Sequence, residues 1–136
     1  MKSTRSSCPI NFGLELFGDT WSLLIIRDLI FNGKQTYGEF LTSAEGISTN
    51  ILGNRLQKLE GAGILQKRVA DDNKKVFLYS LTEKGTRLAP VLVEMIIWGA
   101  ENGVADPESA KNLSEWGRSL REHCDPVDLE GMQKTK

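Results

Sequence analysis

The sequence predicts a mainly α-helical fold with one small β-hairpin, an α+β arrangement within a single domain. Apolar residues recur at helical spacing in several segments, for example at Phe12, Leu16 and Phe17. Two short apolar segments, 64–69 and 76–81, flank a polar turn, which is the pattern of a hairpin. A chain of 136 residues can bury a core without disulfide bonds or metal ions.

Capping and stop signals predict three helices in the first third of the chain, over 9–17, 21–31 and 37–43. Pro9 suits the first position of the first helix. Either Asp19 or Thr20 can cap the second helix, which we expect to end at Asn32-Gly33. The third helix begins at a capping box that Thr36 and Glu39 form.

The segment 46–61 gives the clearest functional signal. Ser48 is a favourable N-cap, and Ile47 and Leu52 occupy the two positions of a hydrophobic staple. One face of the resulting helix, about 48–60, is apolar: Ile51, Leu52, Leu56 and Leu59. The opposite face carries neutral amides and a glycine: Asn50, Gly53, Asn54 and Gln57. A face that only meets solvent more often carries Glu and Lys, so this pattern, after a short helix and a turn at Gly46, predicts a helix-turn-helix.

The hairpin, about 64–81, follows this helix directly, and basic residues lie on its arms and tip: Lys67, Arg68, Lys74 and Lys75. A hairpin in this place is the wing of a winged helix-turn-helix. Beyond it we expect a long helix over 83–101, bent or offset at Pro90, and a last helix over 108–123 that Asp106 caps. The apolar residues of 83–101 cover too wide an arc for one small core, which predicts that part of this surface meets a partner.

The charge of the chain is unevenly distributed. The net charge is −1, which excludes a histone-like coat but not a local nucleic-acid surface. Residues 47–85 carry seven basic and four acidic side chains, a net +3, whereas 101–136 carry five basic and eight acidic ones, a net −3. The predicted helix-turn-helix and wing therefore share a cationic segment.

Several classes of protein are disfavoured by what the sequence contains. Its two cysteines, Cys8 and Cys124, and its one histidine, His123, give no zinc or disulfide framework. There is no nucleophile–base pair and no glycine-rich phosphate loop, so we predict neither an enzyme nor a cofactor. The longest hydrophobic stretch, 89–98, is too short to span a bilayer, and residues 1–3 have no apolar signal core. The predicted location is the cytoplasm, with no membrane partner.

Landmarks between Cys8 and Gly99 together resemble the HxlR family of bacterial winged-helix transcription regulators, near the MarR-type group. They are Cys8-Pro9, Gly18-x-x-Trp21, Phe40-Leu41, Gly46-Ile47-Ser48 with Leu52, Arg55-Leu56, Leu59-Glu60, Gly63-Ile64-Leu65, Tyr79-Ser80-Leu81-Thr82-Glu83-x-Gly85 and Trp98-Gly99. The chain departs from the family at Thr36-Tyr37, where a basic residue and Phe are usual, and at the 71–75 turn, which is usually Pro-rich. The implied organisation is a flexible 1–7, a DNA-binding domain over 8–105, and a C-terminal helix and polar tail over 106–136.

The resemblance implies a homodimeric, sequence-specific repressor that binds an inverted-repeat operator in double-stranded DNA. The amides of Asn50, Asn54 and Gln57 suit an adenine edge, and Gly53 allows close approach. Ser48 and Thr49 at the helix N-terminus suit a phosphate. The basic side chains that we expect at phosphates or in the minor groove are Lys58, Lys67, Arg68, Lys74 and Lys75. Arg55 lies beside the apolar face, where a structural ion pair and a phosphate contact are both compatible with its position.

The sequence leaves open the roles of the cysteines, of the tryptophans and of the last helix. Some relatives sense quinones, aldehydes or oxidants through a cysteine at the position of Cys8, which precedes a helix N-terminus that favours thiolate. Cys124 is then either a resolving thiol or a bystander. A small-molecule inducer suits a dimer-interface pocket near three tryptophans (Trp21, Trp98 and Trp116), which plain packing explains equally. The last helix either dimerises or closes over its own domain, and the fold also serves protein–protein contacts without DNA.

Overall fold

The computed structural model describes residues 5–123. In this range the chain forms helices and one antiparallel hairpin in the order α1 (Pro9–Phe17), α2 (Ser22–Phe31), α3 (Tyr37–Phe40), α4 (Thr49–Gly61), β1 (Leu65–Val69), β2 (Phe77–Leu81), α5 (Glu83–Thr86), α6 (Ala89–Asn102) and α7 (Pro107–Arg121). This arrangement confirms the mainly helical winged helix-turn-helix fold.

Side chains of the predicted capping segments form hydrogen bonds with backbone amides at the starts of α2 and α3. The N-cap position of α2 is Trp21 rather than the predicted Asp19 or Thr20, but the Asp19 carboxylate accepts hydrogen bonds from the backbone amides of Trp21 and Ser22, both at 3.0 Å. Thr36 and Glu39 form the reciprocal capping box of α3. This helix is one turn long and ends at Phe40, three residues before the predicted end.

The helix α4 begins where the sequence predicts. Ser48 accepts a hydrogen bond from the Ile51 amide at 3.2 Å, and Gly46 adopts a positive φ of 73° in the preceding turn. The apolar side of α4 packs into the core, with Leu52 and Leu59 fully buried and Leu56 2% exposed. The turn and the burial together fix which side of α4 faces outward.

The wing is a two-stranded sheet in which Leu65 pairs with Leu81 and Val69 pairs with Phe77. The Tyr79 amide donates to the Gln35 carbonyl at 2.8 Å, which ties the wing to the segment before α3. Burial falls towards the tip of the hairpin: Leu65 at its base and Tyr79 at its middle are buried, whereas Val69 and Phe77 near its tip are more than 40% exposed. The wing therefore stands out from the core with its tip in solvent.

The prediction of one continuous helix over 83–101 was wrong. The chain forms a short α5 and a separate α6, with a break near Leu88. Pro90 lies in the first turn of α6, where its missing amide costs no helical hydrogen bond. Of the bend and the offset that the sequence allows at Pro90, the offset is therefore observed, because the proline starts a new helix.

The last helix α7 packs against α6 of its own chain. Gly117 makes this possible, because a Cβ there would lie 2.7 Å from the Ile97 side chain. Leu120 is buried in the common core, and the Trp116 ring meets Phe31 edge-on at 5.5 Å. Closure of this helix over its own domain is therefore observed, and its role in dimerisation stays a prediction.

The chain N-terminal to α1 is partly held in place. Arg5, within the segment predicted to be flexible, donates to Glu15 at 3.2 Å and to Asn11 at 2.6 Å. None of the helices in the described part of the chain combines the length and the apolar character needed to cross a bilayer.

Candidate nucleic-acid interface

The amide face of α4 is directed away from the core. Asn50, Asn54 and Gln57 are exposed, while the opposite side of the helix is buried. Gly53 is half-buried, and a Cβ there would lie 3.5 Å from the Tyr37 hydroxyl. This is an ordinary van der Waals distance, so Gly53 lies next to Tyr37 without the contact itself requiring a glycine.

The start of α4 is held by both α3 and its own cap. The Tyr37 hydroxyl donates a hydrogen bond to the Thr49 carbonyl, although Tyr37 stands where the resembling family has Phe. Ser48 uses its oxygen as the cap, so its hydroxyl hydrogen is still available for an acceptor. Both Ser48 and Thr49 are exposed. An anion at this helix end would meet backbone amides and the positive end of the helix dipole.

Arg55 forms the structural ion pair that the sequence left open. Its Nε lies 2.8 Å from Asp19 Oδ2, and both side chains are largely shielded from solvent. Burial raises the pKa of Asp19, but hydrogen bonds from Ser22, from Arg55 and from two backbone amides outweigh it, so the pKa lies far below its usual range. The Asp19 carboxylate thus links the start of α2 to α4.

The predicted basic residues fall into two groups. Lys67 lies 3.8 Å from Glu60 and 4.6 Å from the centre of the Phe77 ring, and Arg68 lies 3.9 Å from Asp71. The side chains of the other three, Lys58, Lys74 and Lys75, are exposed and form no ion pair with any residue between 5 and 123. The unpaired cations thus lie on α4 and at the wing tip.

A buried polar network before α4 was missed by the sequence reasoning. Asp28 is 3% exposed and accepts hydrogen bonds from Arg27, from Asn32 at 2.6 Å and from Ser43. Arg27 also binds both Glu45 oxygens, at 2.7 and 2.8 Å. Hydrogen bonds from Arg27 lower the pKa of Glu45 to about 2. These contacts hold the turn before α4 against α2, and only tertiary folding brings 27–28 and 43–45 together.

A second unpredicted feature is an open cleft of about 480 Å³ between the wing and α3. It is lined by Thr36, Tyr37, Gly38, Lys75, Val76, Phe77 and Tyr79. Burial, Glu60 and Tyr37 raise the pKa of Tyr79. Residues from both regions in which the chain departs from the HxlR pattern, the 36–37 dipeptide and the wing turn, line this cleft.

The remaining candidates lie apart from this surface. Cys8 is exposed and forms the N-cap of α1, whereas Cys124 lies outside the described residues. The three tryptophans differ in environment: Trp98 is 70% exposed, Trp116 packs on Phe31, and Trp21 lines a small pocket with Phe40. Among residues 5–123, no three His, Cys, Asp or Glu side chains are grouped to hold a metal ion.

An exposed amide face on the second helix of a helix-turn-helix, followed by a basic wing, defines a winged helix-turn-helix protein of the DNA-binding class. Residues 16–109 match the HxlR-like helix-turn-helix family, and the chain belongs to it. The protein is a transcriptional regulator with a helix-turn-helix DNA-binding fold. The family match extends beyond residue 105, where the sequence reasoning placed the end of the DNA-binding domain.

Individual relatives agree with this assignment. The chain is 36% identical over 98 residues to the uncharacterised HTH-type transcriptional regulator sll1512 of Synechocystis, covering 72% of each protein. The crystal structure of PA1607, a candidate transcription factor, matches with a TM-score of 0.70 and 37% identity, covering 76% of this chain and 70% of that one. The redox regulator HypR in its oxidised form matches with a TM-score of 0.64 and 31% identity, covering 72% of this chain and 100% of that one. The relatives are regulators rather than enzymes.

Proposed function

We propose that the protein is a cytoplasmic, sequence-specific repressor that binds double-stranded DNA as a homodimer. In this proposal α4 enters the major groove and the β1–β2 wing lies on flanking phosphates or in the minor groove. The observation that carries it is the exposed amide face of α4, whose other side is buried. Neutral amides gain little from solvent exposure alone, and they match the donors and acceptors of base edges.

The distribution of charge supports the same function. Lys58, Lys74 and Lys75, which form no ion pair among the described residues, lie on α4 and on the wing that follows it, where phosphates flank an inserted helix. The whole chain has a net charge of only −1, so its sequence-independent affinity for DNA is modest. A larger share of the binding free energy then comes from the amide face.

The homodimer is supported by apolar surface on two helices. The α6 stripe, which we define as Val91, Met95 and Trp98, occupies one side of that helix and is 38% to 70% exposed. On α1, Ile10 is 74% and Leu14 is 55% exposed. Burial of this apolar surface against a second copy of the chain would stabilise a dimer. A two-fold dimer presents two α4 helices to half-sites about one DNA turn apart, hence to an inverted repeat.

Selection of binding sites from a randomised duplex pool, followed by anisotropy titration on the enriched duplex, tests the function. We expect wild type to enrich an inverted repeat. Replacing both Asn50 and Asn54 with Ala should weaken binding by about 1–3 kcal/mol for each base that the variant no longer reads. Asn112→Ala, an exposed helical asparagine on α7, is the matched control and should bind normally. A chain that enriches no sequence, or a double variant that binds like wild type, would contradict the proposal and favour a protein–protein interaction module.

We also infer that an oxidant or electrophile acts as inducer through Cys8. Its exposure at the N-cap of α1 and the likeness of the chain to a redox regulator support this. Treatment with diamide or a quinone should lower the affinity of wild type for its operator and leave Cys8→Ser unaffected. Equal affinity of treated and untreated wild type would remove the inference, and Cys124→Ser reports whether the second thiol takes part.

A further inference from the structure

The amide of Asn54 has a defined orientation on the exposed face of α4. Its Oδ1 accepts a hydrogen bond from the Arg55 guanidinium. Because a guanidinium carries only donors, the amide atom facing it must be the oxygen. The Nδ2 group of Asn54 hydrogen-bonds to none of the residues between 5 and 123, so it is the free part of an exposed side chain.

Arg55 is itself held in place from outside the helix. Its Nε donates to Asp19 Oδ2 at 2.8 Å. Asp19 also accepts from the Ser22 hydroxyl at 2.6 Å and from the backbone amides of Trp21 and Ser22. A carboxylate that accepts these hydrogen bonds in addition to the one from the guanidinium is rigid and stays ionised, so it keeps the Arg55 side chain beside Asn54.

This arrangement changes what Asn54 can recognise. An asparagine that binds adenine in the major groove uses its oxygen for the N6 amino group and its nitrogen for N7. Here one lone pair of Oδ1 is occupied, and the adjacent guanidinium repels the positive hydrogens of an approaching amino group. Guanine presents two acceptors, N7 and O6, and no donor at that edge. The Asn54 amide next to Arg55 therefore matches guanine.

We propose that Asp19, acting through Arg55, makes Asn54 a hydrogen-bond donor and thereby selects guanine over adenine at the base that Asn54 faces. The proposal rests on the DNA-binding function above and replaces the adenine contact that residue type alone predicts for Asn54. Asp19 is a positioning residue in this scheme, since Arg55 and Asn54 lie between it and the base.

The test is selection from a randomised duplex pool with the full chain, in wild type, Asp19→Asn, Asn54→Ala and the double variant. Asp19→Asn keeps an oxygen for the backbone amides at the start of α2 but loses the charge that holds Arg55. We expect wild type to prefer guanine over adenine about fivefold, the value of one hydrogen bond, at one position in each half-site. Asp19→Asn should reduce this ratio to about one or favour adenine, while positions read by other residues keep their preference. In the Asn54→Ala background, Asp19→Asn should have no further effect on that ratio.

Each other outcome has a distinct meaning. A wild type that enriches no sequence overturns the proposed function and this inference with it. A wild type that enriches a clear motif, with unchanged base ratios in Asp19→Asn, overturns the inference alone, as does a preference for adenine that Asn54→Ala removes. If circular dichroism shows that Asp19→Asn is unfolded, Arg55→Lys serves instead, because a single ammonium group cannot bridge the Asp19 and Asn54 oxygens in the same fork. Its guanine preference should fall likewise, and an unchanged ratio would contradict the proposal.

Discussion

The outward faces of α4 and α6 differ although both helices bury their other side in the same core. On α4 the exposed residues include the amides Asn50 and Gln57. On α6 they include the apolar residues of the α6 stripe, among which Trp98 is 70% exposed. The two faces therefore differ in the free energy of desolvation. Amides must form new hydrogen bonds when water leaves, whereas burial of an apolar stripe is favourable by itself.

This difference indicates the kind of partner that suits each face. Base edges supply the donors and acceptors that replace water around the α4 amides. A second protein surface supplies the apolar contact that the α6 stripe lacks. The division of labour between DNA reading and assembly can thus be tested by changing one face and measuring both properties.

The largest expected effect comes from the buried side of α4. Leu56→Ala should lower the free energy of unfolding by about 2–5 kcal/mol, because it leaves a cavity among well-packed residues. Urea unfolding followed by circular dichroism measures this change. Asn50→Ala on the exposed side of the same helix is the control and should stay within about 0.5 kcal/mol of wild type. Equal decreases in the free energy of unfolding of both variants would show that the two sides of α4 contribute equally to stability.

A somewhat smaller effect is expected at the α6 stripe. Trp98→Ala should weaken the proposed dimer by about 2–4 kcal/mol, since exposed tryptophans dominate the interfaces they enter. Sedimentation equilibrium over a range of concentrations measures the dissociation constant. Gln57→Ala is the matched change on the other face, and it should weaken operator binding while leaving the dimer intact. A monomeric wild type, or a dimer that is insensitive to Trp98→Ala, would remove this role of α6.

The smallest effect concerns pH and the turn that precedes α4. The pKa of Glu45 falls from its ordinary value of 4.5 to about 2 in the folded chain, so the unfolded chain binds more protons between these values. The contribution of Glu45 to stability is therefore complete above pH 4.5 and is lost as the pH falls towards 2. Urea unfolding at about pH 5 and about pH 3 should show a smaller decrease for Glu45→Gln than for wild type. Glu108→Gln, at an exposed residue without an ion pair among the described residues, should behave like wild type, and identical decreases in all three proteins would refute the role of Glu45.

Much of the fold could be predicted from local signals. The caps at Ser48 and Thr36, the stop at Gly33 and the hairpin at 65–81 were recognisable because each depends on residues close together in the sequence. The sequence left both a bend and an offset open at Pro90, because a helix that bends and a helix that restarts leave a similar apolar pattern. The site residues were predicted by type, and their roles as DNA contacts stay predictions.

By itself the sequence determined the winged helix-turn-helix and an amide-bearing helix, since periodicity and capping are properties of neighbouring residues. The resemblance of the landmarks between Cys8 and Gly99 indicated the family. Only the tertiary structure decided how those amides are presented. Asp19 and Arg55 are 36 residues apart, and Arg27 and Glu45 are 18 apart, so no local sequence pattern predicts either ion pair. It also decided that α7 packs on α6, because that contact depends on whether Gly117 faces Ile97. Such pairings are set by the packing of the whole core, where burial makes a few charged contacts strong enough to orient the surface beside them.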